Sequence, residues 1–406
     1  MSNCLSVRRT VHRVAAAGAS ILFVLLTGGT ANAQQGPAVQ AYDVAAYYWP
    51  AYHDEPRARR FFPEGIGEWQ TLRKARPKFP GHDQPRIPLW SYEDGADPVV
   101  MAKKIDAAAD NGVNVFIFDW YWYEGQPFLE KTLDEGFLKA RNDGRMKFYL
   151  MWANHDATTL WDLKRSGIRE VIWPGAVDRH TFDSIADYVI QHYFKRASYY
   201  KINGCPVFAI YDLRNLFGGL GGPAKAREAL AHFEQKVRQA GFPGLHLQAI
   251  LRARTPGLDA ATRGRMTRSQ MLEWLGFDSV TNYTWAHLVR PKGDYVAWAE
   301  AATSQWEKWA KEFDIPYFPH VSIGWDNNPR FVALKENIIT GSTPVSFAAY
   351  LYKATRYLRA RHQPKLITVN AWNEWCEGSY LEPDMRHGFG YLRAVRGVIR
   401  GDWDYQ

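Results

Sequence analysis

Eight short apolar runs, separated by stretches with helical punctuation, constrain this chain more than any other feature. They occupy residues 42–48, 113–119, 146–152, 206–212, 245–251, 279–283, 317–322 and 366–373. Most are continuously hydrophobic, as parallel strands covered on both faces are. Between the first two, Asp97 suits an N-cap, Pro98 a first helical position and Gly112 a left-handed terminus, which predicts a helix over residues 98–111. Further helices are predicted over residues 182–196, 224–240, 295–313 and 345–361. Strands alternating with helices predict an α/β fold, a single-domain (β/α)8 TIM-like barrel, with a doubly wound open sheet as the alternative.

A barrel dictates where chemistry must lie, because its active sites sit at the C-terminal ends of the strands. Those ends carry Tyr48-Trp49, Asp119-Trp120-Tyr121-Trp122, Trp152 with Asn154-His155-Asp156, Asp212 with Arg214, Arg252, Asn282-Tyr283, Trp325-Asp326, and Trp372-Asn373-Glu374-Trp375-Cys376-Glu377-Gly378. The strand starts carry nothing comparable. The last stretch puts two carboxylates three residues apart between two indoles. On a helical turn that spacing separates side chains by about 5–6 Å, close to the roughly 5–5.5 Å of retaining glycosidases. An indole of Trp372 or Trp375 is expected to desolvate one carboxyl and hold its proton, while the other stays ionised. Glu374 and Glu377 are therefore the candidate catalytic pair, and Glu382 a supporting carboxylate. The candidate substrate contacts are Tyr48, Trp49, Asp119, Trp120, Trp152, Asn154, His155, Tyr283, Trp325, Asp326, Trp372, Asn373 and Trp375; alternate strand residues face opposite ways, which leaves two readings of Asp119, in the cavity or in the core.

The first 33 residues read as a secretory signal peptide: Arg8, Arg9 and Arg13, an apolar stretch over residues 14–27, and an Ala31-Asn32-Ala33 cleavage signal. Export to the periplasm or beyond follows, by either the general or the twin-arginine route, with no membrane insertion after cleavage. About 370 residues remain (residues 34–406), comfortable for one barrel with long loops. The formal charge of +8 drops by three once those arginines leave, and no basic run is left to follow a phosphate backbone, so nucleic acid is not expected as a partner. Aromatic residues make up 15% of the chain, with 17 Trp, the flat surfaces that a sugar-binding cleft needs. Cys205 and Cys376, at opposite ends of their strands, are expected to stay unpaired. The 12 His residues show no paired metal-ligand spacing, and no G-x-S-x-G elbow is present, so neither a metal nor another cofactor is expected and a serine hydrolase is disfavoured.

Tyr47-Tyr48-Trp49, Gln84-Pro85-Arg86, residues 116–122, Trp152-Ala153-Asn154, residues 199–204, residues 324–330 and residues 372–378 together resemble the WbsX-like proteins, relatives of glycoside hydrolase family 99. The resemblance covers most of the chain and is most specific over the last two stretches. It implies a (β/α)8 endo-acting mannosidase that retains configuration without a metal. Glu374 would deprotonate the sugar's own 2-hydroxyl, which attacks the anomeric carbon, and Glu377 would act as acid and then as base. Two positions depart from the pattern: Cys376 stands where family 99 has His, and His155 where many WbsX-like chains have Glu.

Three functions remain open on the sequence. A secreted retaining glycoside hydrolase cleaving a polysaccharide or glycan uses the Glu pair, the aromatic rim and export. A non-catalytic carbohydrate binder needs the aromatics but not both carboxylates. A WbsX-type glycosyltransferase of polysaccharide biosynthesis conflicts with export, since nucleotide-sugar donors are cytoplasmic.

Overall fold

The computed structural model describes residues 42–261 and 266–403. The signal-peptide expectation lies outside the described residues. Within them, eight parallel strands follow one another around a barrel: β1 (Asp43–Tyr48), β2 (Val115–Tyr123), β3 (Lys147–Trp152), β4 (Cys205–Ile210), β5 (His246–Ile250), β6 (Ser279–Thr281), β7 (His320–Ser322) and β8 (Leu366–Asn370). The registers run Asp43↔Leu366, Ala45↔Val115, Val115↔Lys147, Leu150↔Phe208, Val207↔His246, Ser279↔Gln248 and His320↔Thr368. β6 meets the approach to β7 through Val280 and Tyr317, where Val280 N donates to Pro316 O (2.9 Å) and Phe318 N to Val280 O (2.9 Å). That bridge closes the circle, so the barrel prevails over the open sheet.

The eight runs became the eight strands, with one informative difference. β2 continues past Asp119 to Tyr123, because Asp119 and Trp120 pair with Met151 and Trp152, and Tyr121 to Tyr123 turn back in a hairpin with Gln126–Phe128. The aromatic stretch that looked like a strand end is thus a raised wall over the barrel mouth.

The helices form the outer ring: α1 (Pro98–Asp110), α2 (Arg179–Val189), α3 (Leu213–Leu220), α4 (Pro223–Gln239), α5 (Arg268–Leu275), α6 (Tyr295–Glu312), α7 (Pro344–Arg359) and α8 (Gly390–Arg400). Their starts obey capping chemistry. Asp97 accepts from Val99 N (2.7 Å) ahead of Pro98, and Asp178 from Thr181 N (2.8 Å), which starts α2 three residues before the predicted point. Gly112 adopts the expected left-handed conformation, φ +86°.

The barrel interior is partly polar, and several of its polar groups bond one another. Tyr149 donates to Gln248 (3.1 Å), Thr281 bonds Thr368 (2.9 Å), and His320 bonds both Thr368 and Ser322 (3.0 Å each). The other strand faces, with Phe116, Phe118, Phe148 and Phe208, pack on the helices. Burying such side chains contributes about 1.5–3 kcal/mol each. Cys376 keeps a free, buried thiol and, as expected, forms no bridge to Cys205. No helix among the described residues is long and apolar enough to cross a membrane.

Candidate active site

The site begins with a turn. Asn373–Glu374 pairs antiparallel with Ser379–Tyr380, and a tight helical turn, Trp375–Glu377, joins them through Gly378. Gly378 sits at φ +66°, and a Cβ there would lie 3.1 Å from Arg86 Nη1, which donates to Gly378 O (2.8 Å). The turn directs Glu374 and Glu377 into one cleft of about 560 Å3 at the C-terminal end of the barrel.

Arg330 organises the pair. Its Nη1 reaches Glu377 Oε1 (2.5 Å) and its Nη2 reaches Glu374 Oε2 (3.3 Å). Its Nε and Nη2 also fork onto Glu68 (2.6 and 3.1 Å). Glu68 comes from the long connection between β1 and α1 and also accepts Trp49 Nε1 (2.7 Å). One guanidinium cannot balance three buried carboxylates. Burial raises Glu374 well above the usual carboxylate range, the Glu377 charge adds to this, and Arg330 opposes it. Glu377 is raised by burial, with Arg330 again opposing and Glu68 adding to the rise.

Tyr283 links a further carboxyl. Its hydroxyl lies 2.6 Å from Glu374 Oε1 and 2.8 Å from Asp119 Oδ2. One hydroxyl has one hydrogen, so both contacts close only with a proton on one of the carboxyls. Burial raises Asp119 well above its ordinary value, and the Glu377 charge adds to this. The resulting arrangement is asymmetric: both Glu374 oxygens are engaged, while Glu377 Oε2 has no hydrogen-bond partner among the described residues.

Strand alternation decides which sequence candidates reach the cleft. Trp49, Asp119, His155, Tyr283, Trp325, Glu374 and Glu377 line it. Tyr48, Trp120 and Trp152 are one residue out of phase and pack outward, on Phe118, Trp122 and Phe182. Asn154 instead brackets Asp212, accepting from its N (2.7 Å) and donating to its O (2.8 Å). Asn373 does the same to Trp49 at 2.8 Å each way. Asp326 is engaged away from the cleft by His82 (2.8 Å), Gln84 (2.7 Å) and Asn328 (2.8 Å). Neither indole flanking the pair faces the cleft: Trp372 packs on Phe116, and Trp375 stacks on Tyr380 and donates to Glu382 (2.7 Å). Their role is to fix the turn. The carboxyls are desolvated by general burial instead, and Glu382 is held in a buried ion pair with Lys104 (2.8 Å).

Sequence reading missed Glu68 and Arg330 as partners of the pair, and missed Tyr121, Trp161 and Tyr211, which complete an aromatic collar. In the collar Trp49 meets Trp161 (5.5 Å between ring centroids) and Tyr211 meets Tyr283 (5.6 Å). Arg330 lay within the quoted stretch 324–330, but nothing local marked its target. No group of three or more His, Cys, Asp or Glu among the described residues is arranged to hold a metal ion.

The family described as "Glycosyltransferase WbsX" matches residues 44–395, nearly the whole described chain. The chain belongs to the WbsX family. Protein WxcX of Xanthomonas campestris pv. campestris, named as uncharacterized, is 27% identical over 369 residues, 88% of this chain and 49% of that protein. The chain thus spans about half the length of the curated relatives it matches. Among solved structures, the GH99 endo-alpha-mannosidase of Bacteroides thetaiotaomicron superimposes with TM-score 0.57 at 14% identity, covering 90% of this chain and 98% of that one. A protein described as glycoside hydrolase-like gives TM-score 0.59 at 15% identity, covering 90% and 97%. At such identities the likeness is one of fold, and this WbsX chain shares the glycoside hydrolase barrel.

Proposed function

We propose that this WbsX protein is an exported, retaining glycoside hydrolase that acts on a polysaccharide or glycan through Glu374 and Glu377. The observation that carries the reading is the buried carboxyl pair held by adjacent nitrogens of one guanidinium inside an aromatic-collared cleft. Sharing one guanidinium keeps the two close, as the roughly 5–5.5 Å retaining geometry requires.

The asymmetry of the pair supports the roles that the family resemblance implies. Glu377, with one oxygen free, protonates the glycosidic oxygen as the C1–O bond breaks. Glu374, oriented by Tyr283 and Arg330, takes the proton of the sugar 2-hydroxyl as that oxygen attacks C1 and forms a 1,2-anhydro sugar. Water then attacks C1 and gives its proton to Glu377, and the 2-oxygen recovers its proton from Glu374. Cys376, where the resembling family has His, lies buried beneath the turn, outside the cleft lining. The family description supports a second reading, in which a sugar hydroxyl replaces the water and the glycosyl unit is transferred.

Reducing-end release from a panel of plant, fungal and bacterial polysaccharides tests this, comparing wild type with Glu374→Gln and Glu377→Gln. Turnover reduced by about 10²–10⁴-fold in both folded variants is expected. Lengthened products without net reducing ends would favour transfer. Equal glycan binding by all three proteins with no turnover would make the protein a binder.

A further inference from the structure

The wall of the cleft beyond Tyr283 differs from the floor in its charge. Arg252 lies there, and Arg214 and Arg169 also line the cleft. The Arg252 guanidinium lies 4.5 Å from the Tyr211 ring centroid, and Tyr211 in turn contacts Tyr283, whose hydroxyl touches Glu374. That places Arg252 two ring contacts from the catalytic pair. Stacking fixes the plane of the guanidinium and leaves its N–H edge for a planar anion.

The acids on this wall are engaged elsewhere. Asp212 Oδ1 caps α3, accepting from Arg214 N (2.9 Å) and Asn215 N (3.1 Å), while its Oδ2 forms a long ion pair, 3.9 Å, with the Arg214 guanidinium. Asp156 Oδ1 accepts from Gly175 N (2.8 Å) and Asn215 Nδ2 (3.2 Å). Neither Arg252 nor Arg169 has a carboxylate within ion-pair distance among the described residues. His155 and His287, beside them, are held neutral by burial with Arg252 adding to the effect, so they offer hydrogen bonds without charge.

We infer that the glycan carries an anionic substituent, a carboxylate or an ester sulfate, which Arg252 binds in the subsite next to the cleavage point, with Arg214 and Arg169 along the same wall. This deepens the hydrolase reading and rests on it. A neutral glycan would leave Arg252 and Arg169 in the cleft without an anionic partner among the described residues.

Affinity electrophoresis through uronate-containing and sulfated polysaccharides tests the inference. Each polymer is compared with its carboxyl-reduced or desulfated form, using wild type and Arg252→Gln. The expected result is retardation by at least one anionic polymer, lost on removing its charge, weakened about tenfold or more in Arg252→Gln, and reduced by salt. Reduction and desulfation tell a carboxylate from a sulfate. Retardation that survives both charge removal and the substitution overturns the inference. If no polymer retards the protein, glucuronate and inorganic sulfate are titrated against the tryptophan fluorescence of the cleft. Saturable quenching lost in Arg252→Gln supports the subsite, and none overturns it. Binding is independent of turnover, so loss of the hydrolase reading shows separately, as Glu374→Gln turnover equal to wild type.

Discussion

Two arginines of the same cleft illustrate opposite uses of a guanidinium. Arg330 is buried and meets Glu68, Glu374 and Glu377. Arg252 is half-buried, stacked on Tyr211, and has no carboxylate within ion-pair distance among the described residues. A charge removed from water needs partners or the fold does not hold it. A charge left at a cleft wall keeps its hydration until a ligand displaces it. The floor is therefore built for internal electrostatics and the wall for recognition.

The strongest challenge to that contrast is Arg330→Met. Removing the cation leaves three buried carboxylates uncompensated, and a loss of about 3–5 kcal/mol is expected, read as a lowered urea midpoint with activity abolished. An unchanged midpoint would mean that the carboxyls are neutral without the arginine. Glu68→Gln is milder: it removes one charge-assisted partner and is expected to cost about 1.5–3 kcal/mol. It also withdraws a negative charge that helps to raise Glu377, so the alkaline limb of the kcat profile should move to lower pH. A profile that stays in place would show that Glu68 serves packing alone.

Asp119→Asn probes the floor further. The folded state raises the Asp119 pKa, so it binds more protons than the unfolded chain, and wild-type stability from this group is present at low pH and lost as pH rises through the window above the ordinary carboxylate pKa. Relative to the Asp119→Asn variant, the wild type should fall by about 1.4 kcal/mol per pH unit in that window. Thermal midpoints of both proteins from about pH 4 to about pH 8 check this, and parallel curves would contradict it. The smallest effect on stability belongs to Arg252→Gln, within about 0.5 kcal/mol, since no buried partner is orphaned. A larger loss in the urea midpoint would move Arg252 from the wall into the structural class of Arg330.

The fold was legible because burial on both faces leaves continuous apolar runs, and each of the eight appears as a strand within a few residues. The site was legible in part. Strand ends such as Trp49, Asp119, Tyr283 and Glu374 announced themselves as polar or aromatic groups where a run stops. Trp372 and Trp375 announced themselves equally well, yet they pack inward, since an indole near a carboxylate in sequence does not face it when the turn between them is tight. Tyr48, Trp120 and Trp152 fell to the other side of their strands by one residue of phase.

Local chain chemistry was enough to specify the barrel, its family and the turn that bears Glu374 and Glu377, because periodicity, capping and a compact motif are properties of neighbouring residues. Three relations arose only on folding: Glu68, 262 positions before Arg330, shares its guanidinium, Tyr283 joins Asp119 to Glu374, and Arg252 stacks on Tyr211 with no ion-pair partner among the described residues. They depend on how distant loops meet over the barrel mouth. No local pattern encodes them, since the pKa of each carboxyl is set by the charges and burial that the closed barrel brings to it.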